Sequence, residues 1–121
     1  MPAFILILIS VLLNVAGQVF IKLGTRALGV VELGHAGVVH ELVRVFSNGY
    51  IWAGLITYGI GTLFWISALS KADLSYAYPF LALGYVLIII FSYFLFKEPF
   101  TFNKILGIAL VIIGLIFISR K

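Results

Sequence analysis

Residues 110–118 read LVIIGLIFI, an apolar run broken only by Gly114. A membrane-barrel strand alternates polar and apolar side chains at every second residue. This run does not alternate, so it reads as helix. Extended both ways it becomes TFNKILGIALVIIGLIFIS, Thr101 to Ser119, close to the roughly 20 apolar residues a membrane-crossing helix needs. Three more stretches match it: Pro2 to Lys22, Tyr50 to Ser70 (YIWAGLITYGIGTLFWISALS) and Leu74 to Phe96 (LSYAYPFLALGYVLIIIFSYFLF). The expected fold is an all-α integral membrane protein, a four-transmembrane-helix bundle with short loops. Residues 1–121 would form a single membrane domain with spans at about 2–22, 50–70, 74–96 and 101–119.

Composition agrees. Of 121 residues, 64% are hydrophobic and 10% charged, and mean hydropathy is +1.24. A soluble domain is about 45–50% apolar and about 25% charged, so a water-soluble globule and a disordered chain are both excluded. With no cysteine, disulfides, thiolate metal sites and cysteine nucleophiles are excluded too. The net charge of +4 in so apolar a chain points to membrane flanks and anionic lipid rather than nucleic acid. The first span has no basic leader and no A-x-A-like cleavage site, so it reads as a retained helix, not a signal peptide.

Spans two and three are joined by Lys71-Ala72-Asp73, and spans three and four by Lys97-Glu98-Pro99-Phe100. Connections this short force antiparallel neighbours. The first connection, Leu23 to Gly49, is longer. Within it Val38, Val39, Leu42, Val43 and Phe46 recur at helical spacing, with His40, Glu41 and Arg44 between them. That pattern suggests an interfacial amphipathic helix between spans one and two; the alternative is an extension of span two or a loosely ordered loop. Lys22, Arg26, Arg44, Lys97 and Lys104 fall on one side of the membrane and Lys71, Arg120 and Lys121 on the other. The imbalance leans toward the first side being cytoplasmic, and both orientations stay open.

Ionisable groups inside spans are functional hypotheses by default, yet no Asp or Glu lies mid-span. Glu32, Glu41, Asp73 and Glu98 all sit in connections. Span one instead carries Ser10, Asn14, Gln18 and Lys22, spaced by four and followed by Arg26. At about 100° per residue they spread over roughly 120° of the helix. This stripe, ending in cations, would suit a polar or anionic headgroup; interhelical hydrogen bonding with Lys22 snorkelling is the plainer alternative. Tyr78 and Pro79 open span three, where Pro79 removes a backbone donor and Asp73 or Ser75 could cap the start. Tyr85 lies deeper, beside Gly84, as a cavity candidate, whereas Tyr50, Trp52 and Trp65 fit an aromatic belt. Gly54 and Gly61 on span two, and Gly107 and Gly114 on span four, are each seven apart, a spacing that lets helix backbones approach. His35 and His40 share their connection with Glu32 and Glu41, but nothing in the spacing compels a metal site. No catalytic set or phosphate loop stands out, so neither an enzyme nor a cofactor is expected.

The motif SVLLNVAGQ with Lys22 following, the opening LSYAYP of span three, the Lys97-Glu98-Pro99 turn and the last-span glycine pair occur together in order. As a set they resemble a four-helix member of the drug/metabolite transporter superfamily. Within it the similarity is greatest to the small EamA-type subunits of the aminoarabinose–undecaprenyl-phosphate flippase, and it weakens across residues 23–49. The resemblance implies a multi-pass protein of a bacterial inner membrane that moves a polyprenyl phosphate or a polyprenyl-phosphate-linked sugar. Gln18, Lys22, Tyr78, Pro79 and Glu98 match positions of that pattern, while Asn14 falls where it is more variable. The substrate-binding residues expected on these grounds are Asn14, Gln18, Lys22, Arg26, Tyr78 and Tyr85. Glu98 is expected to pair with Lys97 or Lys104 across its turn. One protomer encloses little space, so a homodimer is expected, with a heterodimer with a similar small subunit as the alternative and Gly107 and Gly114 at the contact.

The small multidrug resistance family is a more distant resemblance. There a mid-span glutamate couples drug to protons, and the corresponding stretch here carries Asn14. An exporter of small or cationic compounds is therefore the first rival, and a membrane assembly subunit that transports nothing is the second.

Overall fold

A computed structural model describes residues 2–34 and 37–120, so His35 and Lys121 lie outside it. All its regular structure is helical: α1 (Ala3–Leu28), α2 (Val38–Phe46), α3 (Gly49–Leu69), α4 (Leu74–Ala77), a 3₁₀ turn (Tyr78–Phe80), α5 (Leu81–Phe96) and α6 (Phe102–Ser119). Three segments have the length and hydropathy to cross a membrane: α1, α3 and the continuous Leu74–Phe96 stretch. Helix α6 is equally apolar but shorter. Its 18 residues rise about 27 Å, just under the ~30 Å hydrocarbon core. The chain is thus a multi-pass helical membrane protein with three helices long and apolar enough to span and one shorter apolar helix.

Helix α1 is longer than its hydropathy indicated, running on through Leu23–Leu28. Hydropathy registers where lipid ends; the helix ends where its backbone stops. That point is Gly29, at φ 84°, whose N–H donates to the Thr25 carbonyl. Only glycine adopts this conformation without strain. The six extra residues carry Arg26 one turn beyond Lys22 on the same helix.

Helices α1 and α3 pack backbone against backbone. A methyl group on Gly17 would lie 2.9 Å from the Gly54 carbonyl oxygen, and one on Gly54 would lie 2.8 Å from that of Gly17. At Gly61 the nearest atom would be Leu13 Cβ at 3.0 Å, and at Gly24 it would be Ile51 Cδ1 at 2.7 Å. The glycine pair on α3 therefore meets a partner inside the same chain. Ser10 Oγ donates to the Gly61 carbonyl at 2.9 Å across this contact. Ser10→Ala should lower stability by about 1 kcal/mol, seen as a modest drop in Tm in detergent; no drop would mean the hydroxyl contributes nothing to the pairing.

The apolar core lies toward the start of α1, where Leu6, Ile7, Val11 and Val15 meet Ala68, Ala77 and Phe80. Phe4 stands edge-on to Phe80 at 5.8 Å. Most other large apolar side chains face outward, as they should where the surroundings are lipid tails. Pro79 sits within the 3₁₀ turn and has no N–H to offer the Ser75 carbonyl. Asp73 occupies the cap position of α4 without a side-chain capping bond, whereas the Asn48 side chain caps α3 by accepting from Tyr50 and Ile51 N–H.

Helix α2 exists as the spacing suggested, and it is turned outward. Val39 is 72% and Val43 61% exposed. On the other side Arg44 pairs with Glu41 at 2.7 Å and donates to the Leu28 carbonyl at the end of α1. A helix packed on a soluble protein would bury its apolar face; this one leaves that face open and keeps the Arg44–Glu41 pair half-buried against the end of α1.

Candidate functional site

The polar stripe of α1 is a spiral. Four residues on a helix advance 400°, so each successive member is displaced by about 40°. Ser10, at one end, is buried against α3 and committed to Gly61. Asn14 is half-buried and borders clefts on both sides, one shared with Tyr58, Thr62 and Trp65 of α3 and the other with Gly84, Tyr85 and Ile88 of α5. Gln18 and Lys22 have turned fully to α5, where they line a cleft of about 250 Å³ with Ser92, Phe96 and Glu98. Among the described residues Asn14, Gln18 and Lys22 make no side-chain hydrogen bond and no ion pair. Interhelical bonding thus accounts for Ser10 and leaves the other three uncommitted.

Helix α5 forms the opposite wall. Gly84 allows it close, since a methyl group there would lie 3.2 Å from Val11 Cγ1. Next to it Tyr85 is 58% exposed and borders two clefts, the one with Asn14 and another with Asn103, Lys104 and Gly107 of α6. In the last turn of α1, Arg26 stands over the Phe96 ring at 5.4 Å. Lys22, Arg26, Arg44, Lys97 and Lys104 all cluster at this end of the bundle.

The other expected residues fall elsewhere. Tyr78 lies at the opposite end, edge-on to Trp65 at 6.5 Å, and does not border the clefts of the α1 stripe. Methyl groups on Gly107 or Gly114 would meet nothing within 4 Å, so α6 offers both to open space. Glu98 pairs with neither Lys97 nor Lys104. Lys104 Nζ donates to the Pro99 carbonyl at 2.7 Å. Lys97 takes a left-handed conformation, φ 54°, and the Lys97 and Glu98 N–H groups both close on the Ser92 carbonyl. That reversal brings Glu98 to the α1 side, into the cleft of Lys22. Sequence reading had passed over Ser92; its signal was a single serine within the otherwise aliphatic and aromatic run VLIIIFSYFLF.

The profile of the EamA-like transporter family matches residues 48–120, from the cap of α3 to the end of α6. The chain belongs to the EamA-like transporter family. Among its relatives is the probable 4-amino-4-deoxy-L-arabinose-phosphoundecaprenol flippase subunit ArnE of Pseudomonas fluorescens, 30% identical over 116 residues, 96% of each chain. The ArnF subunit of the same name from Shewanella sediminis is 40% identical over 73 residues, 59% of this EamA-like chain and 50% of the relative. An uncharacterised Sinorhizobium fredii protein, y4nH, is 44% identical over 68 residues, 55% of this chain and 58% of its own. No solved structure matches. The family is one of membrane transporters, and that is the class of this chain.

Proposed function

We propose that this transporter moves a polyprenyl phosphate, or a sugar carried on one, across a bacterial inner membrane. The observation that carries the reading is the cleft between α1 and α5. Gln18 and Lys22 open there with no side-chain partner among the described residues, at the end of the bundle where the cations gather. A phosphate on an isoprenoid tail is an anion that can enter such a cleft while its tail stays in lipid. Lys22 and Arg26 draw the phosphate, Gln18 and Asn14 hydrogen-bond its oxygens or a sugar, and Tyr85 extends the polar path toward α6. Names of relatives that match nearly the whole length, as flippase subunits for a phosphoundecaprenol-linked sugar, support the same substrate class.

In this reading α6 is a fourth span and α2 lies in the headgroup layer, its outward Val39 and Val43 in lipid. The clefts are too small for a headgroup path within one protomer. A second copy, or a similar small subunit, completes it against Gly107 and Gly114. Native mass spectrometry from mild detergent tests both parts. The expected result is a dimer retaining a polyprenyl phosphate, with Gly107→Leu plus Gly114→Leu shifting it to folded monomer. A wild-type monomer carrying only bulk phospholipid would count against the reading.

A further inference from the structure

We infer that the transport path leaves the α1–α5 cleft at Asn14 and continues along α3, with Tyr58, Thr62 and Trp65 as its second wall. The inference rests on the transport reading and gives that path its route. Neighbouring clefts share lining residues, which sets their order. The Lys22 cleft and the Asn14–Tyr85 cleft meet at Ile88. The Asn14–Tyr85 cleft and the one on the α3 side, about 170 Å³, meet at Asn14 and Leu81. From Lys22 to Asn14 the helix rises about 12 Å, less than half of a ~30 Å hydrocarbon core. Past Asn14 the space between α1 and the entry to α5 is closed, because Ile7, Val11 and Phe80 meet there in the apolar core.

The opening that remains is toward α3. Tyr58, Thr62 and Trp65 are spaced four and three apart, so they share one face of that helix. They bring a phenol, a hydroxyl and an indole N–H to the cleft that Asn14 borders. The Asn14 side chain makes no hydrogen bond among the described residues. An unpaired amide facing lipid tails is costly, so Asn14 calls for water or a headgroup beside it. Thr62 Oγ1 donates to the Tyr58 carbonyl at 3.0 Å, which leaves its oxygen able to accept. Trp65 in turn touches Tyr78, edge-on at 6.5 Å, in the 3₁₀ turn at the opposite end of the bundle. Lys22, Gln18, Asn14, Trp65 and Tyr78 thus form one series from end to end. Tyr78, remote from Lys22, joins the site through Trp65, and Trp65 serves the path rather than an aromatic belt.

The chain has no cysteine, so a single one introduced into the full chain reports on its own position. The thiolate is the reactive form, and apolar surroundings suppress it. The probe is a membrane-impermeant anionic methanethiosulfonate, present on both faces of proteoliposomes. Gln18→Cys in the Lys22 cleft and Thr62→Cys in the α3 cleft should both react. They should do so at least about tenfold faster than Leu63→Cys and Ile66→Cys, whose positions are 66% and 58% exposed but border none of these clefts. Undecaprenyl phosphate, added as a second probe, should slow the reaction at both cleft positions. Gel filtration, with complete labelling in dodecyl sulfate, establishes that each variant is folded and its thiol intact. Protection confined to one of the two cleft positions overturns the inference and leaves the transport reading standing, since the path would then follow a single side of α1. Equal reaction at positions 62, 63 and 66 overturns it too, the α3 surface then being wet throughout. Protection at neither cleft position removes the transport reading, and the inference with it.

Discussion

Replacing Lys22 with Met is expected to lower headgroup translocation by about 100-fold while leaving the protein folded. Lys22 is exposed and has no ion pair or side-chain hydrogen bond among the described residues, so nothing in the fold depends on its charge. Methionine keeps the length of the apolar stem and removes the ammonium. A charged hydrogen bond to a phosphate is worth about 1.5–3 kcal/mol, and more where water is excluded. Arginine at the same site should restore activity in part, since it keeps the charge but presents a planar fork in place of a compact ammonium. Transfer of a labelled polyprenyl phosphate in proteoliposomes measures the effect, and gel filtration reports folding. Full activity in a folded Lys22→Met variant would remove the anion from this cleft.

The second large effect is on the fold. Gly54→Val should destabilise the protein by about 3 kcal/mol or more, enough to abolish a monodisperse peak in detergent. The added Cβ would approach the Gly17 carbonyl oxygen at 2.8 Å and Ile21 Cγ1 at 2.7 Å. The side chain can swing away; the carbonyl cannot move without shifting α1. Gly17→Val should do the same from the other side. Substitutions at Gly107 and Gly114 meet open space and should leave the protomer intact. Equal damage from both glycine pairs would mean that packing within the protomer does not rest on the α1–α3 contact.

These two glycine pairs show what the sequence could convey. Both are seven apart, and spacing identifies a helix face suited to close approach. It does not identify the neighbour, which for Gly54 and Gly61 is Gly17, Leu13 and Ser10. Apolar runs marked the helices well, but the end of α1 depended on one glycine backbone angle and not on hydropathy. The α1 stripe was legible as residues spaced by four. Its division of labour, with Ser10 structural and Gln18 and Lys22 open, follows from the 40° drift together with the positions of α3 and α5. Tyr78 was grouped with Lys22 because both match one motif pattern, yet the span between Tyr78 and Phe96 separates them along the bundle. Glu98 was assigned to its nearest lysines by proximity in sequence. A single left-handed residue reverses the chain there, and residue type alone did not reveal it.

The unequal packing of the helices has a mechanical consequence. Helices α1 and α3 are locked at Gly17, Gly24, Gly54 and Gly61, so they behave as one stiff plank. Helix α5 meets that plank closely at Gly84, with looser side-chain contacts and clefts on the Lys22 side of it. A movement that widens the Lys22 cleft therefore costs least as a swing of α5, with α6 attached, about a pivot. The 3₁₀ turn at Pro79, already short of a backbone donor, sits where that hinge would bend.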